Sequence, residues 1–216
     1  KKHSVTYFLK TVLSNYDKDK FEINLYLDNK IEDDNTNEFK GLVKKTSNIS
    51  NLNNVDAINF IRQDEIDIIF DIMGLSSVQR ISLFKNRLAP KQISWLGYCN
   101  TTGIDNMDYL ISDPNLIYPE EECNYVEKII YLPNIWNCHS ELNAERVDLE
   151  PPCLKNKYIT FGSFNNFNKI NDTVIDVWSQ ILKNVTGSKL ILKSSLKVDK
   201  DYIKKKIYFY YLSTFY

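Results

Sequence analysis

The chain has 216 residues, 43% of them hydrophobic and 25% charged, and a formal net charge of −1. This is the composition of a soluble globular protein of one or two domains, and its balanced charge gives no basis for binding nucleic acid or an anionic membrane. No stretch approaches the roughly 18 consecutive apolar residues that span a bilayer, and Lys1-Lys2-His3-Ser4 has neither the apolar core nor the cleavage site of a signal peptide.

In chain order, residues 5–16 place Tyr7, Phe8, Val12 and Leu13 near one face of a helix. Residues 21–27 alternate apolar and polar side chains and read as a strand. The polar, Asn-rich stretch 28–54 reads as loop with one short element, and apolar spacing then predicts a helix over 55–63. The run IDIIFDIMG at 66–74 reads as a buried parallel strand ending in a tight glycine turn. A helix is expected over 77–86, stopped by Ala89-Pro90, followed by short strands at 92–98, 109–112 and 128–132. Strands separated by helices predict an α/β sheet of Rossmann type.

After Pro133 the pattern turns irregular through Pro151-Pro152, which marks an inter-domain linker. Two domains are therefore expected, 1–150 and 151–216. The second opens with a strand at 158–164, a loop at 165–169, a helix over about 173–183 capped by Asn171 or Asp172, and a strand at 189–192. One βαβ unit cannot cover both faces of its own sheet, so this domain is expected to be truncated. The closing run IYFYYLSTFY at 207–216 fits neither period and reads as a frame-shifted end or a terminal strand. The chain does not start with methionine and opens almost directly on a helix, so upstream sequence is expected as well.

Cys99, Cys123, Cys138 and Cys153 form no CxxC pair, and only Cys138 stands next to a histidine, His139. Reduced cytosolic thiols are expected, without a zinc site.

Four segments stand out: HSVTYFL from His3 with DKFEI from Asp19; DIIFDIMG at 67–74; LAPKQISWLGY at 88–98 with NTTG at 100–103 and MDY at 107–109; and FGSFNNFNKI at 161–170, with Trp178 and Leu182 behind it. In this order they resemble the O-linked N-acetylglucosamine transferase family, of the bacterial SPINDLY-like type, over residues 3–195. The resemblance implies a glycosyltransferase-B architecture, with one Rossmann-like domain and the beginning of a second. It further implies an inverting transfer of N-acetylglucosamine from UDP-N-acetylglucosamine to Ser/Thr hydroxyls of a protein acceptor. No metal or other cofactor is expected, no nucleic acid or membrane partner, and a cytoplasmic location; the Asn-, Ile- and Lys-rich usage suits a bacterial genome. The oligomeric state is left open.

Lys169 lies after a strand and just before a helix start, where free backbone N–H groups and the helix dipole favour a diphosphate. A lysine there would neutralise charge developing on the departing diphosphate, and the resemblance makes it the essential catalytic lysine. His3 matches a histidine close to sugar and acceptor, able to relay a proton or hydrogen-bond the sugar. Leu96, Gly97, Thr101 and Thr102 follow a strand end, where α/β ligand sites lie, and by resemblance border the sugar. Cys99-Asn100 stands there where relatives usually carry Pro-Gly. Asn165 and Asn166 complete the expected substrate contacts. Asp67 and Asp71 share a strand face, with Asp71 read as structural or near the cleft, and His139 is assigned no role.

The family's nucleoside-holding segment is not found after Leu192, nor are tetratricopeptide repeats upstream. The isolated chain is therefore expected to bind donor weakly and to be nearly inactive. Two competing readings are a non-catalytic protein-binding module derived from the transferase, and a protein O-fucosyltransferase using GDP-fucose.

Overall fold

The computed structural model describes residues 4–76, 80–139, 150–193 and 205. The chain divides into two compact units, residues 1–143 and 144–216.

The first unit begins with helix α1 (Ser4–Asn15), which buries Val5, Leu9 and Leu13 at four-residue spacing, one face of a helix. Strand β1 (Asn24–Leu27) follows, then helix α2 (Asp34–Leu42) and strand β2 (Lys45–Asn48). Asp33 caps α2, accepting from the Thr36 amide at 3.0 Å. β1 and β2 pair in parallel, Asn24 opposite Lys45. The Asn-rich stretch expected to be mainly loop thus holds a helix and a strand. β2 reads KTSN and carries no apolar alternation, so its partner defines it, not its own sequence.

Helix α3 (Asn54–Gln63) is capped by Asn53, whose side chain accepts from the Asp56 amide at 2.9 Å. It leads into a four-stranded parallel sheet in chain order: β3 (Ile68–Asp71), β4 (Lys91–Ser94), β5 (Tyr109–Ser112) and β6 (Lys128–Tyr131). In β3 only Ile69 and Asp71 face the interior, while Ile68 and Phe70 remain 47% and 43% exposed, so this strand is half-buried and not wholly buried. Asp67, expected to share the environment of Asp71, is exposed at the strand's start.

Between β3 and β4 the expected helix is replaced by 3-10 turns at Gly74–Ser76 and Ile81–Lys85; residues 77–79 lie outside the described residues. Within the second turn Leu83 and Phe84 are buried. Arg80 anchors this stretch by donating to the carbonyls of Ile49 and Leu52 at 2.9 and 2.8 Å and pairing with Asp28 at 2.9 Å.

Two cores result. One gathers Ala57 and Ile61 of α3 with Ile69, Leu83, Phe84 and Met107, and the other joins α1 to Phe39 of α2 and to Leu96.

The second unit contains helix α4 (Pro152–Asn156), strand β7 (Thr160–Ser163), a 3-10 turn (Phe167–Lys169), helix α5 (Asp172–Asn184) and strand β8 (Lys189–Leu192). β7 and β8 pair in parallel around α5, a βαβ unit. α5 packs Ile175 and Ser179 inward, with Asn171 as its N-cap. The expected tail element at 207–216 lies outside the described residues.

Candidate functional site: the carboxyl ends of the parallel strands

Both sets of candidate residues fall at carboxyl ends of parallel strands, where the chain leaves a sheet and enters a turn. In the first unit the ends of β3 and β4 are locked together. The Trp95 amide donates to Asp71 O at 2.9 Å, extending the ladder one step. The buried Asp71 carboxylate accepts from the amides of Met73 (3.1 Å) and Gly74 (2.9 Å), closing the turn after β3. Burial pushes this carboxyl above its ordinary pKa, against the pull of the two backbone donors. Asp71 is thus the brace of a turn.

Gly74 has φ +53, and a Cβ there would collide with Cβ of Tyr98. After β4, the Gly97 amide donates to Trp95 O at 3.1 Å while Leu96 takes φ +82, a γ-turn around a buried leucine. A Cβ on Gly97 would fall on the Ile72 carbonyl oxygen and 3.0 Å from Val5 Cγ2. The two turns are therefore keyed into each other, with the first turn of α1 against them. The Leu96 side chain is sealed in the core, so this residue can meet a ligand only through its backbone. Strain of this kind in a non-glycine residue persists only where the surroundings over-determine it, and it clusters at ligand sites.

Thr101 and Thr102 continue the same loop. The Thr101 hydroxyl and the Thr102 amide donate to the buried Glu127 carboxylate at 2.8 and 2.7 Å, and the Thr102 hydroxyl donates to it as well. Their polar groups thus hold the loop down from within. Trp95 is fixed from above, its indole N–H donating to Trp136 O at 2.7 Å, and the Trp136 amide donates to Asp113 at 2.7 Å. His139 stacks on Tyr7 at 5.8 Å and meets Phe8 edge-on at 5.2 Å. His3 lies outside the described residues.

In the second unit Asn165, Asn166 and Lys169 are all exposed in the loop after β7. Asn166 organises it, accepting from the Asn168 amide on its side chain at 3.1 Å and from the Lys169 amide on its carbonyl at 3.0 Å. Lys169 closes the 3-10 turn two residues before Asn171, whose side chain accepts from the Val174 amide at 3.0 Å. The lysine therefore stands just before the capped amino-terminal end of α5. Among the described residues no group of His, Cys, Asp and Glu is arranged to hold a metal ion. No helix among them is long and apolar enough to cross a membrane.

The family model described as glycosyl transferase family 41 matches residues 1–143, so the match runs through α1, both keyed turns and the Thr101–Glu127 anchor. The chain belongs to glycosyl transferase family 41. Among its family-41 relatives, a protein of Solanum lycopersicum named "probable UDP-N-acetylglucosamine–peptide N-acetylglucosaminyltransferase SPINDLY" is 33% identical over 195 residues, 88% of this chain and 21% of that protein. One of Arabidopsis thaliana with the same enzyme name, SEC, is 31% identical over 147 residues, 63% of this chain and 15% of that protein. A mutant O-GlcNAc transferase of Thermobaculum terrenum matches in structure with a TM-score of 0.87 at 26% identity, over 96% of this chain and 40% of that one. The chain thus spans about a fifth of the length of the SPINDLY relatives. The fold class expected from the sequence, α/β with parallel sheets of glycosyltransferase-B type, holds.

Sequence reasoning missed the buried polar residues that brace this sheet and its loop. Glu127 lies 25 residues from Thr102. Gln92 is wholly buried, accepting from the Leu88 amide at 2.9 Å and donating to the carbonyls of Phe84 and Asn106 at 3.1 and 2.8 Å. A polar residue in the middle of a strand was the available signal: it must find partners or forfeit its place.

Proposed function

We propose that the chain carries part of the catalytic region of an inverting transferase that moves N-acetylglucosamine from UDP-N-acetylglucosamine to Ser/Thr hydroxyls of proteins. The observation that carries this reading is the placement of Lys169 in the turn just before capped helix α5, in a chain whose first 143 residues match family 41. The names of its SPINDLY and SEC relatives support the donor and the peptide acceptor.

In the proposed reaction the acceptor oxygen attacks the anomeric carbon from the face opposite UDP, and the glycosidic C–O bond breaks with its electrons leaving on the diphosphate. The Lys169 ammonium and the positive end of the α5 dipole meet that developing charge. The reading therefore asks for no metal or other cofactor. Leu96 and Gly97 offer backbone groups to the sugar, Asn165 and Asn166 offer amides, and Thr101 and Thr102 set the loop's shape through Glu127. His3 is assigned the proton relay. Four cysteines without disulfides suit a cytoplasmic protein, and with the Asn-, Ile- and Lys-rich usage we place it in a bacterium.

The test is a thermal shift of the purified chain with UDP-N-acetylglucosamine and with GDP-fucose. Protection by the first alone is expected, together with a weakening of at least about tenfold in Lys169→Ala, the scale of one lost charged hydrogen bond. Protection by GDP-fucose alone would replace the donor, and protein binding without any nucleotide-sugar binding would replace the enzyme by a binding module.

A further inference from the structure

In the donor reading Lys169 is the one side-chain cation named against a diphosphate that carries more than one negative charge and gains another as the bond breaks. A second cation stands at the same end of the strand pair. β8 ends at Leu192, in register with Ser163 at the end of β7. The next residue, Lys193, is fixed by its backbone N–H, which donates to Ser163 O at 3.1 Å. Its exposed side chain therefore leaves the sheet beside the loop that carries Asn165, Asn166 and Lys169.

Lys193 Nζ lies 5.9 Å from the ring centroid of Phe164, the first residue after β7. That ring is 74% exposed. Among the described residues no carboxylate pairs with either lysine. Lys189, at the opposite end of β8, serves as a contrast: it lies over the Tyr158 ring at 4.0 Å, a packing contact.

An apolar ring left open to water, with an unpaired ammonium group beside it, has the chemistry of a surface for a flat anionic ligand. The geometry points to Lys193 as a second phosphate-contacting cation for the donor's nucleoside diphosphate, with Phe164 as the apolar wall beside it. This inference rests on the donor reading above and adds to it a residue that contacts the ligand.

The 15N-labelled chain is titrated by NMR with UDP and with inorganic pyrophosphate, as wild type, Lys193→Gln, Lys193→Arg and Lys169→Ala. Lys193→Gln is expected to weaken both ligands about fivefold to tenfold, with Lys193→Arg restoring them and the remaining amide spectrum unmoved. If Lys169→Ala weakens both ligands while Lys193→Gln leaves them unchanged, the role of Lys193 is overturned and the donor reading stands. An Arg variant as weak as the Gln variant also overturns the role of the charge. Failure of the wild type to bind either ligand overturns the donor reading, and this inference with it.

Discussion

Asp71 contributes a carboxylate that the fold prefers protonated, although it accepts two backbone hydrogen bonds. Its folded pKa lies above the ordinary 3.8, so the folded state holds this proton more tightly than the unfolded chain does. The stability Asp71 contributes is therefore full below 3.8 and is lost as pH rises through its raised folded value. Asp71→Asn removes that slope and leaves one carbonyl oxygen to serve two amides. The stability advantage of wild type over Asp71→Asn should be largest near about pH 4 and shrink towards neutrality, read as paired urea midpoints across pH. An advantage that grows with pH would mean the carboxylate is stabilised in its charged form. At this scale the sequence was partly legible. Lys169 and Asn171 stand where a strand-loop-helix pattern puts them, whereas the grip of Glu127 on Thr101 and Thr102 depends on a partner about 25 residues away that no local period announces.

Elements were legible where apolar periodicity was strong, as in α1, α3, β5, β6, α5 and β8. They were not where long-range contacts set the conformation. β2 is strand because β1 pairs with it, despite its sequence KTSN, and the 3-10 turn Ile81–Lys85 starts from Arg80, which long-range bonds to Ile49 and Leu52 hold in place. α2 offers a test free of those contacts. Gly41 lies in its last turn, exposed, with open space where a Cβ would go and no positive φ. Gly41→Ala is therefore expected to stabilise the protein by about 0.5–1 kcal/mol, since glycine in a helix costs that much relative to alanine. A lower thermal midpoint for this variant would show that the end of α2 is not helical in solution.

Across the whole molecule, burial is distributed unequally. The first unit buries long lists of side chains in two cores, whereas Ile175 is the one buried hydrophobic residue among the described residues of the second unit, and Ile159, Val177 and Ile191 are open to water. Hydrogen exchange should therefore release the amides of β7, α5 and β8 well before those of Gln92 and Leu110 in β4 and β5, because local opening follows buried apolar contact. Equal protection in both units would mean that the second sheet is covered in solution. The keyed turns carry a different consequence, one for inheritance. Any side chain at position 97 strikes the Ile72 carbonyl, and any at position 74 strikes Tyr98. Neither glycine can therefore gain a side chain unless the facing turn moves with it, which ties the two positions into one mutational unit. Cys99 and Asn100, exposed in the same loop, carry no such constraint.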